Sequence, residues 1–230
     1  MLIRKGWSVN LKRVRRLWIE LGLRRPLRLR KPRKLGLKPG TAANSCTQQP
    51  ARFKNDVWTC DFIHDRTCDG HSLKWLTLVD EYTRECLVLH AAASISGADV
   101  RRIVARVIGR RGVPTKIRSD NGSEFICEVL SGWLSRTGSE SIPVEPGSPW
   151  QNGFIESFHG KLRDEFLERV EFESVPDAVE KAKWHRREYN TIRPHSSLGY
   201  KTPKEFSAEC DAKSSGKMPS MTKHRHASNR

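Results

Sequence analysis

Three apolar runs, at 57–63, 73–80 and 85–91, follow one another within 35 residues, and that spacing constrains the fold most. Each is of strand length and rich in Val, Ile, Leu, Trp and Thr. The connections between them are short and hold turn chemistry (Asp69-Gly70, then Glu81-Tyr82-Thr83-Arg84). Such spacing predicts an antiparallel meander. Ser96 then opens a helical pattern with Val100, Ile103, Val104, Val107 and Ile108 on one face, closed by Gly112 and Pro114. A short strand at 115–120 follows, then a second helix (Phe125, Val129, Leu130, Trp133, Leu134) ending at Gly138. A brief strand at 140–144 leads into a Pro/Gly loop at 146–149.

A further helix begins after Pro149. Phe154, Phe158, Leu162 and Phe166 recur at i, i+4 intervals and predict its buried stripe. Asn152, Glu156, His159 and Arg163 fall on the other face. Ser174 and Asp177 read as a capping pair for a last helix ending near Tyr189. Three antiparallel strands, a helix, a parallel strand, a helix, a strand and a helix describe an α/β fold, a ribonuclease-H-like mixed five-stranded sheet flanked by helices.

One residue does not suit its run. Asp61 interrupts Val57-Trp58-Thr59-Cys60-Asp61-Phe62-Ile63, and an acid in an apolar strand costs several kcal/mol unless it is paired or metal-bound. Asp120 ends the fourth strand before Asn121-Gly122, where an Asp alone is ordinary turn chemistry. Glu156 alone is an ordinary helix-surface acid. Together, on two strands and a helix, the three can hold a pair of divalent cations that clamp a phosphodiester during in-line displacement. Asp56, Asp65 and Glu124 are the rival acids, and Asp65 shares Asp61's strand face. The series Cys60, His64, Cys68, His71 imitates a zinc pattern, but two of its members sit in an expected core strand, so no zinc site is expected.

Charge points to the partner. Residues 1–50 hold 14 Lys/Arg against one acid, Glu20, and so carry +13 of the chain's net +16. A segment so basic seeks a polyanion, and its affinity for nucleic acid is phosphate-driven and salt-dependent. Asn10 caps a helix with Leu11, Val14, Leu17, Trp18 and Leu21 at helical spacing, ended by Gly22. Its opposite face carries Lys12, Arg13, Arg15 and Arg16, expected DNA contacts of a partial helix-turn-helix. The expected organisation is this DNA-binding segment at 1–25, a basic linker at 26–52, a catalytic core at 53–206 and a disordered basic tail at 207–230. No apolar run reaches membrane-span length and no secretory h-region opens the chain, so a cytoplasmic, nucleoid-associated protein with no membrane partner is expected.

Four stretches carry a resemblance: Trp58–Phe62; Ser119-Asp120-Asn121-Gly122-Ser123-Glu124-Phe125; Pro146 to Arg163; and Tyr189-Asn190-Thr191-Ile192-Arg193-Pro194-His195-Ser196-Ser197-Leu198-Gly199-Tyr200. With 35 residues between Asp120 and Glu156 and a basic residue seven beyond, the chain resembles the integrase-like transposases of bacterial insertion sequences, specifically the OrfB-type proteins of the insertion sequence three family, over roughly residues 7–206. The resemblance implies a DDE triad of Asp61, Asp120 and Glu156 binding two Mg²⁺ ions, with Mn²⁺ as a substitute. It implies metal-dependent DNA strand cleavage and strand transfer at element ends. Lys161 and Arg163 match positions that face DNA ends, and Asn152 and His159 are candidate DNA contacts. His159 stands where the family usually has Asn. A homo-multimer on DNA is expected, and so, because the chain starts partway into the family's pattern, is a partner protein from an upstream reading frame. The rivals are a ribonuclease-H-type nuclease without strand transfer, and an inactive, truncated DNA-binding remnant.

Overall fold

The computed structural model describes residues 6, 8, 10–23, 49–120, 128–144 and 152–215. It divides into two compact units, 1–38 and 39–230. In the first, helix α1 (Leu11–Glu20) starts where Asn10 Oδ1 accepts the Lys12 N–H at 2.9 Å. Gly22 takes the left-handed conformation that ends it (φ +66°). Lys12, Arg13, Arg15 and Arg16 are exposed. Leu17, Trp18 and Leu21 on its apolar face are also exposed.

The second unit is built on a sheet of β1 (Val57–Arg66), β2 (Ser72–Asp80), β3 (Cys86–Ala92), β4 (Lys116–Ser119) and β5 (Glu140–Pro143), in the order β3-β2-β1-β4-β5. β1–β2 and β2–β3 are antiparallel; β1–β4 and β4–β5 are parallel. The parallel pairs need crossovers. Helix α2 (Gly97–Arg111) makes the first and α3 (Glu128–Thr137) the second. A reciprocal capping box between Ser96 and Asp99 starts α2, and Gly112 (φ +86°) ends it.

Two cores result, one on each sheet face. Trp58, Cys60, Leu76, Leu78 and Ile117 pack against Val100 and Val104 of α2 and Leu134 of α3. Ile63, Leu73, Trp75 and Val79 pack against α4 (Gly153–Leu162) and α5 (Val175–Thr191). α5 lies against the edge strand β3. Asn190 there accepts the Cys86 N–H and donates to the Cys86 carbonyl, both at 2.9 Å, and Arg186 donates to the Leu87 carbonyl at 2.7 Å. Side chains thus take the place of a sixth strand and blunt the edge.

The predicted strands and helices appear with small shifts of their ends, and three details differ. Phe154 is only half-buried while Ile155 is fully buried, so the inner stripe of α4 is Ile155, Phe158, His159 and Leu162. A four-residue spacing drifts about 40° per step around a helix of 3.6 residues per turn. A π-helical turn, Arg163–Leu167, follows α4, and Phe166 in it stays in the core. Finally, residues 207–215, expected as disordered tail, are helical: α6 (Pro203–Ser215) packs on α5. Phe206 rests on Tyr82 at 5.7 Å, and Lys54 reaches Asp211 at 2.7 Å. Those contacts hold the helix beyond Phe206. Among the described residues no helix is long and apolar enough to cross a membrane.

Candidate active site

The parallel register sets Cys60 beside Ser119, so the next residues along are neighbours: Asp61, in the middle of β1, and Asp120, just past the end of β4. Both have the strand parity that faces α4. Glu156 stands in the first turn of α4, above the same sheet face. The arrangement puts acids from the middle of β1, the end of β4 and the first turn of α4 on one face of the sheet.

The electrostatics reflect that grouping. Burial pushes the Asp61 carboxyl up to about 6, and the negative charges of Asp120 and Glu156 add to the push. The Phe62 N–H, 2.7 Å from Asp61 Oδ1, and the Arg163 guanidinium work against it. Burial also raises Glu156. Like charges grouped around the half-buried Asp61 repel one another, and a bound cation would relieve that cost. Hard carboxylate oxygens suit Mg²⁺ or Mn²⁺. Among the described residues, no three His, Cys, Asp or Glu side chains stand close enough to hold an ion as arranged. The acids sense one another without forming a closed cluster. Segments 121–127 and 145–151, which flank Asp120 and precede α4, lie outside the described residues, and Glu124 lies with them.

Two polar tethers hold α4 on the sheet. Thr59 Oγ1 donates to Asn152 Oδ1 at 2.6 Å, both side chains buried. On β2, Thr77 Oγ1 donates to the Asp61 carbonyl at 2.9 Å and sits 2.8 Å from His159 Nε2. A hydroxyl has one proton, so His159 Nε2–H must be the donor to Thr77. His159 Nδ1 then turns a lone pair toward Asp61 Oδ2, 3.6 Å away. Burial, with Arg163 nearby, holds the ring down at about 4, so it is neutral at neutral pH. The Asp61–His159 contact is therefore not an ion pair, and it suits a protonated or cation-bound Asp61 better than a bare carboxylate.

The expected DNA contacts separate. Arg163 is exposed beside the acids. Asn152 and His159, expected to touch DNA, are buried at 5% and 4% exposure and serve as the tethers just described. Lys161 is half-buried on another flank of α4, with its Nζ 3.1 Å from His195 Nε2. Of the rival acids, Asp56 is buried and accepts the Arg52 N–H, while Asp65 accepts the Arg66 N–H further along β1.

Sequence reasoning missed Thr59 and Thr77, and the pair Glu81–Arg118, fully buried at 2.9 Å two positions before Asp120. A signal for Thr77 existed. The Asp69-Gly70 turn centres the β1–β2 hairpin, and folding the chain there sets Asp61 opposite Thr77.

Comparison with known proteins agrees with this architecture. Residues 51–149 and 137–203 match two family models, each described as an integrase core domain. The chain is 39% identical over 201 residues to an uncharacterized 39.2 kDa protein of insertion element IS476 from Xanthomonas euvesicatoria, covering 87% of this chain and 56% of that protein. It is 36% identical to an uncharacterized 31.7 kDa protein of insertion element IS407 from Burkholderia multivorans, covering 90% and 72%. It is 27% identical to a transposase for insertion element IS904 from Lactococcus lactis, covering 68% and 62%. The chain thus spans little more than half of the Xanthomonas relative. In fold it is similar to the HTLV-2 integrase catalytic core domain solved with magnesium (TM-score 0.53, 16% identity, 68% of this chain and 99% of that one). The BIV integrase catalytic core domain is a second such neighbour (0.53, 19%, 70% and 99%). By sequence the chain belongs to the insertion-sequence transposases that carry an integrase core domain, and its fold is the one those integrase catalytic cores share.

Proposed function

We propose that the chain is the catalytic part of a transposase that cleaves DNA strands at the ends of an insertion sequence and transfers them to a second DNA. Asp61, Asp120 and Glu156 are its catalytic residues and hold two Mg²⁺ ions, which Mn²⁺ can replace. The observation that carries this reading is the placement of Asp61, half-buried in the middle of the central strand, with Asp120 beside it and Glu156 in the first turn of the helix on the same sheet face; burial, then the charges of Asp120 and Glu156, raise its carboxyl to about 6. Like charges brought together on one face raise an acid's pKa beyond what burial alone does, and a cation between them relieves that cost.

When bound, the ions supply Lewis acidity at the phosphodiester and lower the pKa of the attacking water or 3′-hydroxyl. The protein's own work is to position. The Phe62 N–H fixes one oxygen of Asp61, and the Thr77–His159 tether fixes the ring that faces the other. Thr59 holds Asn152 and with it the start of α4, one turn before Glu156. Arg163 offers an exposed cation to a phosphate near the acids. Lys12, Arg13, Arg15 and Arg16 form an exposed basic face on α1 and contact backbone phosphates. Because strand transfer joins two DNA segments, the working form is a homo-multimer on DNA. HTLV-2 integrase cores have been solved in dimeric and trimeric forms, which supports this. A protein from an upstream reading frame is a further partner, and the work is done on cytoplasmic, nucleoid DNA.

The test is Mn²⁺-dependent nicking of supercoiled plasmid by the full chain beside Asp61→Asn, Asp120→Asn and Glu156→Gln. The parent should nick and all three variants fall to background. A parent that shifts DNA in a gel but never nicks it, with either ion, sinks the catalytic reading and leaves a DNA-binding remnant.

A further inference from the structure

Helix α2 carries five arginines, no lysine and one acid in its 15 residues. Its inward arc holds Val100, Ile103, Val104, Val107 and Ile108, all buried or half-buried. At about 100° per residue, Ala98, Ala105 and Gly109 run along the middle of the outward arc, with Arg101 on one side of them and Arg102, Arg106 and Arg110 on the other. These four arginines are exposed. Arg101, Arg102 and Arg106 line a groove of 660 Å³ together with Ala98, Ala105 and, from α3, the half-buried Trp133.

We propose that the outward face of α2 is a DNA-docking surface, which holds the phosphate backbone of a segment other than the one at the carboxylates, through Arg101, Arg106 and Arg110 on the two sides of the small-residue furrow. The inference rests on the DNA-processing reading above and adds where a second segment is held.

Three observations carry it. The first is the charge balance. Asp99, the one acid of α2, accepts from Arg102 at 2.6 Å and from the Ser96 hydroxyl at 2.7 Å, and Arg111 pairs with Glu85 at 2.8 Å. His90 on β3 is held down first by burial and then, against Asp99, by Arg102 and Arg106, so it offers a neutral ring and no counter-charge. Among the described residues, Arg101, Arg106 and Arg110 have no carboxylate partner.

The second is placement. Val100 and Val104 pack on the sheet face of Trp58, Cys60 and Ile117, whereas Asp61 and Asp120 have the opposite strand parity. A straight duplex lies along one side of the sheet, so phosphates on α2 belong to a different segment from the one being cut. The third is fit. From Arg101 to Arg110 the helix rises about 13 Å, and a DNA strand advances about 3.4 Å per phosphate, so the stripe spans about four phosphates. A guanidinium fork grips two phosphate oxygens at once, which an ammonium cannot do.

Modification of the full chain by an arginine-selective dicarbonyl, read residue by residue by mass spectrometry, tests the inference with and without a saturating random-sequence duplex. The duplex should slow the reaction of Arg101, Arg106 and Arg110 several-fold. Gly109→Glu sets an acid in the furrow where a Cβ meets nothing within 4 Å, so it disturbs no packing. It should abolish that protection and weaken duplex binding several-fold at low salt, while Gly109→Ala, which only favours the helix, should bind as the parent does. Changing Arg101, Arg106 and Arg110 together to Gln should flatten the slope of log affinity against log salt by about 2–3. If these three react at their free rates while Arg13, Arg15 and Arg16 are protected, the surface is overturned and the DNA reading stands; a Gly109→Glu chain protected like the parent has the same meaning. Equal protection by poly-glutamate overturns the DNA assignment in favour of an acidic protein. A duplex that protects no arginine of the parent at low salt overturns both readings.

Discussion

At the scale of single residues, Asp61 trades stability for function. Its carboxyl is raised from an ordinary 3.8 to about 6. A group whose pKa is higher folded than unfolded contributes stability that is fully present below its unfolded value and is lost as pH rises through the folded one. For Asp61 the loss falls between about pH 4 and pH 6, so at pH 8 without divalent ions the folded chain bears the whole cost. Two pKa steps correspond to about 3 kcal/mol, an upper figure for a side chain that keeps some exposure. Asp61→Asn should thus melt higher than the parent at pH 8 in chelator, by about 1–3 kcal/mol, and the difference should vanish at pH 4. Adding Mg²⁺ should raise the parent's melting temperature and leave the variant's unmoved. A variant that melts lower at pH 8 would contradict the sign. Thr77 carries a second prediction, because its hydroxyl serves both the Asp61 carbonyl and His159. Thr77→Val strands a buried ring N–H, which costs about 1–3 kcal/mol in urea unfolding. The same change should slow nicking at saturating DNA more than it weakens DNA binding, since the ring it releases faces Asp61.

Elements were legible in the sequence wherever one period dominated. The strands announced themselves as apolar runs, and α2 and α5 by caps that the structure repeats at Ser96 and Ser174. Helix α4 was harder, because two stripes compete on it. The run Phe154, Phe158, Leu162, Phe166 has the larger side chains, but Ile155, Phe158, His159, Leu162 has the truer helical spacing of i, i+3, i+4, i+7. The second stripe is the buried one. It includes a histidine, which an apolar pattern does not count, so the pattern alone puts His159 on the DNA face. Phe154 instead serves as a platform for Arg84, a partner 70 positions earlier that no local pattern reveals. The hold of α5 on β3 was equally invisible, since Asn190 looks like a helix-end residue until its amide meets the Cys86 backbone. Asn190→Ala removes both bonds and uncovers the sheet edge. It should cost about 1–3 kcal/mol and speed amide exchange at Cys86 more than in β1.

For the whole molecule, charge and fold are divided between two units, and that division is testable. All 14 basic residues of the first 50 lie within the unit 1–38, while the sheet, both cores and the three acids lie in 39–230. The acids alone are of little use on a free polyanion, because carboxylates repel the phosphates they must meet. A basic segment offsets that repulsion over many phosphates, with no regard to sequence. Removing residues 1–38 should therefore leave the melting of the remaining unit within about one degree of its value in the full chain, because its cores keep every buried partner. DNA affinity should fall steeply at low salt. If half of the 14 cations meet phosphates, the slope of log affinity against log salt should flatten by about 6. Nicking at high DNA concentration and low salt should survive in part, since the acids and their tethers remain. A shortened chain that binds as steeply as the parent would mean that the core itself holds the DNA, and the basic segment would then need another anionic partner.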